Sequence, residues 1–210
     1  MYLYRLKFSK TDYMRFIGHL DTLNLFERCI GLAGLPIAYS KGFNPRRLIY
    51  FALPLSLGMA GIKEYADIVL EKEEPDINNI KERLNLFFPE GIKISAVREL
   101  SSHEKKASKI AAAALYEAKG NTENFDIDSF MDLKEILAEK SSKKGIKTIN
   151  IRPFIYEAEC KVGSLNMILA TGENNINPKH IIEYLEGKDF TYTRKEIYKF
   201  ADDKLISLWD

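Results

Sequence analysis

The sequence predicts an α+β fold made of two tandem ferredoxin-like domains, each with the element order β-α-β-β-α-β. Two observations support this prediction. Strand-like and helix-like hydrophobic patterns follow one another in the same order in both halves, and a polar stretch near the middle separates the halves. With 210 residues, of which 46% are hydrophobic and 29% are charged, the chain is large enough for two small domains with buried cores.

The first strand and the first helix follow from their periodicity. Every second residue from Tyr2 to Phe8 is apolar, which is the pattern of a half-buried strand. From about His19 to Ala33, apolar residues recur at helical spacing, and Gly34 is the residue type that commonly follows a helix C-terminus. We therefore expect a strand, a polar turn and a helix.

The rest of the first half completes the predicted order. Leu48–Leu53 and Tyr65–Leu70 have the composition of strands, and prolines and glycines lie between them. Asp76 is a suitable N-cap for a second helix, which should end before Pro89. A strand over Lys93–Val97 then closes the first half.

The domain boundary is expected where the chain becomes polar. Residues 101–110 contain serines, a glutamate and lysines in close succession, which is typical of a linker. We predict a first domain over residues 1–100, a linker over 101–110 and a second domain over 111–210.

The same element order can be assigned to the second half. We expect, in order, a strand over Ala112–Lys119, a helix carrying Phe130, Leu133, Ile136 and Leu137, a strand over Ile146–Cys160 interrupted at Pro153, and a strand over Leu165–Leu169. Asn177 is a good N-cap and Pro178 suits the first helical position, so another helix should begin there. Phe190–Phe200 is expected to be the last strand.

Composition limits the classes of function. The net charge of +1 gives no overall field that would attract nucleic acid or membrane, so a polyanionic partner would have to bind local basic patches. Cys29 and Cys160 are far apart in sequence, and His19, His103 and His180 lack the closely spaced ligands of a zinc or iron–sulfur site. We therefore expect no disulfide, no metal and no cofactor.

The sequence also indicates a cytoplasmic protein without a membrane partner. No apolar run approaches the roughly 18 residues of a membrane-spanning helix. Met1–Lys10 alternates between polar and apolar residues, whereas a signal peptide has a continuous apolar core.

His19 and Asp21 are the candidate catalytic residues, because a histidine and a carboxylate close together can act as acid and base. A structural interpretation explains them with fewer assumptions. Asp21 in the first turn of a helix suits the positive end of the helix dipole, and His19 can form a hydrogen bond there. The structural interpretation is the more economical one.

A basic loop with aromatic residues is the main candidate binding site. Its residues, together with a cation on the preceding helix, are Arg28, Tyr39, Lys41, Phe43, Asn44, Arg46 and Arg47. Arginines bind phosphates, aromatic rings stack on unpaired bases, and the chain contains no acidic residue from Arg28 to Lys63. We expect structured RNA to bind here; the alternative is an exposed loop whose cations are only solvated.

A second basic segment extends from Lys140 to Arg152, also without an acidic residue. Its candidate phosphate contacts are Lys143, Lys144, Lys147 and Arg152. The alternative is a helix C-terminus and a strand edge protected by positive charge.

The chain contains four distinctive segments: RFIGHLD at residues 15–21, GLPIAYSKGFNP at 34–45, FALPL at 51–55 and EYAD at 64–67. With these segments it resembles the radical-SAM-linked protein family, an uncharacterised bacterial family. Similarity continues at Ile151–Pro153 and Asn177–Pro178. Where relatives often carry a His-Pro pair after the Asn-Pro turn, this chain has Arg46 and Arg47.

The resemblance implies a partner protein. Members of that family are encoded beside, or fused to, a radical SAM protein, and this partner would hold the cluster, because Cys29 and Cys160 cannot supply three thiolates. The implied role is an RNA-binding accessory module that presents a ribosomal or transfer RNA substrate to the radical SAM enzyme. Two alternatives remain open: an RNA-processing or RNA-modifying enzyme that uses His19 and Asp21, and a scaffold that binds only proteins.

Overall fold

The computed structural model of the chain describes residues 1–142 and 145–210. The first hundred residues form, in chain order, β1 (Tyr2–Lys10), α1 (His19–Leu32), β2 (Ile49–Phe51), β3 (Ala60–Leu70), α2 (Ile77–Phe87) and β4 (Ile92–Leu100). This order agrees with the β-α-β-β-α-β order expected for the first half. A 3-10 helix, Asp12–Phe16, connects β1 to α1, and β3 begins five residues earlier than the sequence pattern predicts.

The remainder of the chain contains more strands than expected. Its elements are α3 (Ala107–Ile110), β5 (Ala113–Lys119), α4 (Ile127–Asp132), β6 (Leu137–Ser142), β7 (Gly145–Asn150), β8 (Ile155–Lys161), β9 (Ser164–Ala170), α5 (Pro178–Tyr184), β10 (Thr191–Ala201) and β11 (Lys204–Ser207). Short 3-10 helices lie at Arg152–Phe154 and Gly172–Asn174. As predicted, the Asn177 side chain caps α5, accepting a hydrogen bond from the Lys179 backbone amide.

Two predictions for the second half were wrong in detail. The helix expected to carry Leu133 to Leu137 ends at Asp132, because the backbone amide of Ile136 donates to Asn150 Oδ1 at 3.0 Å and Leu137 starts β6, which pairs with β7. The single strand expected over Ile146–Cys160 is divided into β7 and β8. Pro153 lies in the 3-10 helix between them, where its missing N–H does not interrupt a ladder.

The strands form one continuous sheet across both halves of the described chain. Its order is β4-β1-β3-β10-β5-β9-β8, with β2 paired to β3 and β11 paired to β10, while β6 and β7 form a separate two-stranded sheet. Neighbouring strands are antiparallel except β3 and β10, which pair in parallel at two positions only. The fold is therefore α+β with a large, mostly antiparallel sheet, and a tandem repeat of ferredoxin-like domains is not confirmed.

The described residues form two hydrophobic cores, and the second also includes four residues of the first half: Ala52, Leu55, Met59 and Tyr65. In the first half, alternate residues of β1 such as Leu6 and Phe8 pack against Phe26 of α1 and Leu84 of α2. In the second half, the core contains residues of β5 and β9 together with those of α4 and α5. The two cores meet where β3 lies beside β10. Contacts across this short junction therefore determine how firmly the halves are joined.

On one face of β3, the carboxylate of Asp67 is completely buried and paired with Arg5 of β1. Arg5 Nε lies 2.8 Å from Asp67 Oδ1, and Nη2 lies 3.1 Å from Oδ2. Asp67 also accepts a hydrogen bond of 2.6 Å from the backbone amide of Ala107, while Arg5 donates to the carbonyls of Lys105 and Leu208. The segment expected to be a linker, residues 101–110, is therefore fixed to the first half, and so is the C-terminal segment.

On the opposite face of β3, Glu64 is paired with Arg194 of β10. Arg194 Nε and Nη2 donate to the two carboxylate oxygens at 2.8 and 2.5 Å, and both side chains are buried. Arg194 also donates to the carbonyls of Leu53 and Pro54. A Cβ on Gly61 would lie 2.5 Å from Glu64 Oε1, so only glycine leaves space for this side chain. The pair thus joins both halves and the loop that follows β2.

We expect Glu64→Gln to lower the free energy of unfolding by about 3–5 kcal/mol, because it leaves the buried guanidinium of Arg194 without its counter-charge. Urea denaturation measures the loss. Glu159→Gln is the matched control, since Glu159 and Lys161 form an exposed pair at 3.2 Å whose contribution should stay below about 1 kcal/mol. Equal losses in the two variants would contradict a structural role for the buried pair.

Candidate functional site

The basic loop between α1 and β2 is closed at its base by backbone contacts. The backbone amide of Ser40 donates to the carbonyl of Arg46 at 2.8 Å, and the amide of Arg46 donates to Ser40 Oγ at 2.9 Å. Tyr39 and Arg47 form an isolated β-bridge next to these bonds. At the tip, Gly42 has φ +125°, which L side chains rarely adopt. Residues 41–45 are therefore presented on a defined turn.

The side chains at this tip project into solvent. Lys41, Phe43, Asn44 and Arg46 are all exposed, and Phe43 is exposed over its whole side chain. Burying a phenylalanine side chain contributes roughly 1.5–3 kcal/mol, so a ligand that covers the exposed ring of Phe43 would gain stability from the contact. The loop thus combines an available aromatic face with two available positive charges.

The two adjacent arginines of the loop have different environments. Arg47 is half-buried: its Nη1 lies 3.4 Å from Glu27 Oε2 on α1, and its guanidinium lies 5.8 Å from the ring centroid of Tyr39. Arg46 is exposed, and within the described residues its side chain forms no ion pair. Arg28, which follows Glu27 on α1, is also exposed. Arg47 therefore fastens the loop to α1, whereas Arg46 and Arg28 remain available to a ligand.

The second basic segment contributes little to this surface. Lys143 and Lys144 lie outside the described residues, as does the side chain of Lys147. Arg152 has a structural environment: Nε and Nη2 donate to the carbonyl of Met131, and Nη1 donates to the carbonyl of Ile155 at 3.0 Å. These bonds hold the 3-10 helix between β7 and β8 in place and occupy three of the five N–H donors of Arg152.

His19 and Asp21 occupy the first turn of α1, as the sequence indicates. Both are exposed, and in the described part of the chain no hydrogen bond joins them. The His19 ring meets Phe51 edge-on, with centroids 5.5 Å apart. Asp21 Oδ2 would lie 3.3 Å from a Cβ at Gly18, which places this carboxylate beside the N-cap of α1, where the helix dipole favours it. This geometry fits the structural interpretation.

A small cavity beside His19 was missed by sequence reasoning. Its polar lining residues are Lys10, His19, Thr22 and Glu64, and its apolar lining residues are Phe8, Phe51, Leu53 and Leu55. Lys10 is only 2% exposed, and burial lowers the pKa of its ammonium group, an effect that the carboxylate of Glu64 opposes. A sequence signal was present, because Lys10 continues the apolar alternation from Tyr2 to Phe8 at a position that should face the core.

Other expectations concern thiols, metals and membranes. Cys29 and Cys160 are free thiols, the first buried and the second partly buried. In residues 1–142 and 145–210, no group of three or more His, Cys, Asp or Glu side chains is placed to hold a metal ion. The helices in that part of the chain also lack the length and apolar character of a membrane span.

Comparison with known proteins gives a family but no activity. The sequence model of a family described as "Uncharacterized protein conserved in bacteria (DUF2344)" matches residues 3–178. This match covers the first half, the loop and most of the second half. No curated protein matches the chain.

The different environments of the two loop arginines give a stability prediction. Arg47→Ala should lower the free energy of unfolding by about 1 kcal/mol, because it removes a half-buried ion pair and the contact with Tyr39. Arg46→Ala removes an exposed side chain and should change stability by less than about 0.5 kcal/mol. Chemical denaturation of both variants tests this difference, and a larger loss for Arg46→Ala would show that the loop is held in another way.

Proposed function

We propose that this chain, which belongs to the bacterial family DUF2344, is an RNA-binding module. Its proposed contact surface is the loop between α1 and β2. The family description names no activity, so the proposal rests on the geometry of the chain. The observation that carries it is the exposed ring of Phe43 between the exposed cations Lys41 and Arg46, on a loop closed by backbone hydrogen bonds.

Each part of the loop suits one part of an RNA molecule. An exposed aromatic ring can stack on an unpaired base, and each such stack contributes roughly 1–3 kcal/mol. The guanidinium of Arg46 can bind a phosphate through two parallel hydrogen bonds, and the ammonium group of Lys41 provides a second charge. Because stacking requires a base outside a duplex, the proposed ligand is structured RNA with unpaired nucleotides.

The loop is a better candidate than the sheet surface. Ferredoxin-like RNA-binding domains commonly use the open face of the sheet. In the first half of this chain, the face opposite the helices is covered, because Arg5 donates to the carbonyl of Leu208 and the Trp209 ring lies against Tyr65, with centroids 6.3 Å apart. Tyr65 and Asp67 are consequently buried. The loop, by contrast, carries an exposed aromatic ring together with exposed cations.

The two halves are proposed to be copies of one ferredoxin-like unit. If the hairpin β6–β7 is set aside, the strand order β10-β5-β9-β8 corresponds to β4-β1-β3-β2, and each half places its first strand in the middle. The hairpin would then be an insertion after the first helix of the second copy. This relation supports a duplicated binding platform, in which the basic loop lies in the first copy.

We further propose a radical SAM protein as partner, to which the module presents a ribosomal or transfer RNA. Support comes from the resemblance of the four distinctive segments and from their proximity in the fold. Three of the segments are in contact, because His19 meets Phe51 and Arg194 links the carbonyl of Leu53 to Glu64. A surface formed by several distant segments is suited to recognition of a protein partner.

The first binding experiment concerns Phe43. Phe43→Ala should weaken binding to a hairpin RNA with an unpaired loop by roughly 5-fold to 150-fold, which corresponds to about 1–3 kcal/mol per stacked base. Val162→Ala is the matched control, because Val162 is also fully exposed at a turn but lies between β8 and β9. Fluorescence anisotropy measures both affinities. Equal effects of the two substitutions would exclude the loop as the stacking site.

The second binding experiment separates phosphate contacts from diffuse attraction. Lys41→Ala combined with Arg46→Ala should reduce the slope of log K against log salt by about one unit per lost contact. Lys188→Ala, an exposed lysine of the second half, should leave the slope unchanged. Retention of the full slope in the loop variant would contradict the proposed phosphate contacts. Absence of salt-dependent RNA binding by the unmodified protein would contradict the function itself.

A further inference from the structure

The cavity beside His19 contains a buried cation with incomplete hydrogen bonding. Lys10 Nζ donates one hydrogen bond, of 2.7 Å, to the carbonyl of Ile17. An ammonium group has three N–H donors, so two of them have no acceptor among the described residues. A buried donor without an acceptor costs about 1–3 kcal/mol, and more when the group is charged. Because Lys10 lines the cavity, an occupant of the cavity can satisfy these donors.

The charges around the cavity favour a negative occupant. The carboxylate of Glu64 is already paired with Nε and Nη2 of Arg194, so the buried groups Lys10, Arg194 and Glu64 carry one excess positive charge. Asp21 is the other acidic group whose charge acts on Lys10, and its side chain is exposed to solvent. A water molecule could accept the hydrogen bonds of Lys10. Only an anion would also compensate the buried charge.

The dimensions and the rim of the cavity specify the occupant further. Its interior is about 10 Å³, enough for roughly one water-sized group. His19 lies at the rim with its ring exposed, and α1, a helix of 14 residues, begins at this residue. The positive end of the helix dipole therefore adds to the field of Lys10 at the cavity. A single ligand oxygen fits inside while the rest of its group stays at the rim.

We propose that this cavity is a binding site for an oxyanion, in which Lys10 Nζ binds one oxygen of a phosphate or carboxylate group and His19 contacts the group at the rim. The site is distinct from the basic loop, because Lys10 lies at the end of β1 and the cavity is formed by β1, the start of α1 and the segment after β2. It does not depend on the RNA-binding proposal.

The test uses inorganic phosphate and acetate as probes at constant ionic strength. Titration of the unmodified protein, followed through the imidazole resonances of His19 by NMR, should give a saturable shift with phosphate, with acetate, or with both, and the comparison identifies the preferred oxyanion. The resonances of His103 are the internal control, since His103 lies between β4 and α3, away from the cavity. Absence of any saturable shift at His19 would overturn the proposal and leave water as the occupant.

Variants then assign the site to Lys10. Lys10→Met should weaken binding of the effective probe by about tenfold or more, because a charge-assisted hydrogen bond is lost. Lys93→Met, at an exposed position of β4, should not change it. Because Lys10→Met also removes the bond to Ile17, Thr22→Val and His19→Gln serve as milder variants. Isothermal titration calorimetry measures probe binding in all variants, since His19→Gln lacks the imidazole resonance, and at least His19→Gln should weaken binding while the protein stays folded. Unchanged affinity in all three variants would overturn the assignment.

Discussion

Two buried carboxylates on opposite faces of β3 fix this strand to its neighbours, one within the first half and one across the junction between the halves. A carboxylate removed from water is strongly destabilising unless a cation and hydrogen-bond donors surround it, so each acid of β3 requires an arginine from another strand. Asp67 binds Arg5 of β1 on one face, and Glu64 binds Arg194 of β10 on the other. Only two residue pairs connect β3 and β10 in the sheet ladder, so the Glu64–Arg194 pair supplies a specific contact that the ladder lacks, while Arg5 and Asp67 fix residues 101–110 and the C-terminal segment to β3.

The arginines also position segments that have no regular structure. Arg5 donates to the carbonyls of Lys105 and Leu208, which brings the C-terminal segment over the sheet face. There Lys7 Nζ lies 4.3 Å from the centroid of the Trp209 ring. Arg194 donates to the carbonyls of Leu53 and Pro54, which holds the loop after β2 over the helix side of the junction. The covered sheet face and the cavity beside His19 are therefore both consequences of how β3 satisfies its buried charges.

Local sequence patterns predicted most of the helices and strands of the first half. The elements and buried side chains that these patterns missed depend on contacts between distant segments. Alternation in β1, the Asp76 cap of α2 and the Asn177 cap of α5 are encoded within a few residues, and each is found where expected. The apolar spacing at Leu133–Leu137 predicts a helix, but Leu137 begins β6. The pairing of β6 with β7 is not visible in local periodicity. The partners of Glu64 and Asp67 lie 130 and 62 residues away, so their burial could not be read from neighbouring positions.

In the candidate site too, the sequence shows the residue types but not their spatial environment. The sequence identified the exposed cations and Phe43 because their residue types are informative, but it could not distinguish Arg46 from Arg47, since that difference depends on Glu27 of α1. Helix α1 also relates the loop to the cavity. Glu27 follows His19 by eight residues, which corresponds to about 12 Å along the helix axis at 1.5 Å per residue. The base of the loop, through Arg47, and the proposed oxyanion cavity, through His19, thus both contact α1, at positions about 12 Å apart along its axis. One RNA ligand that is long enough to reach both sites would occupy both, whereas separate ligands would bind the two sites independently. Competition between inorganic phosphate and RNA oligonucleotides of increasing length distinguishes these arrangements.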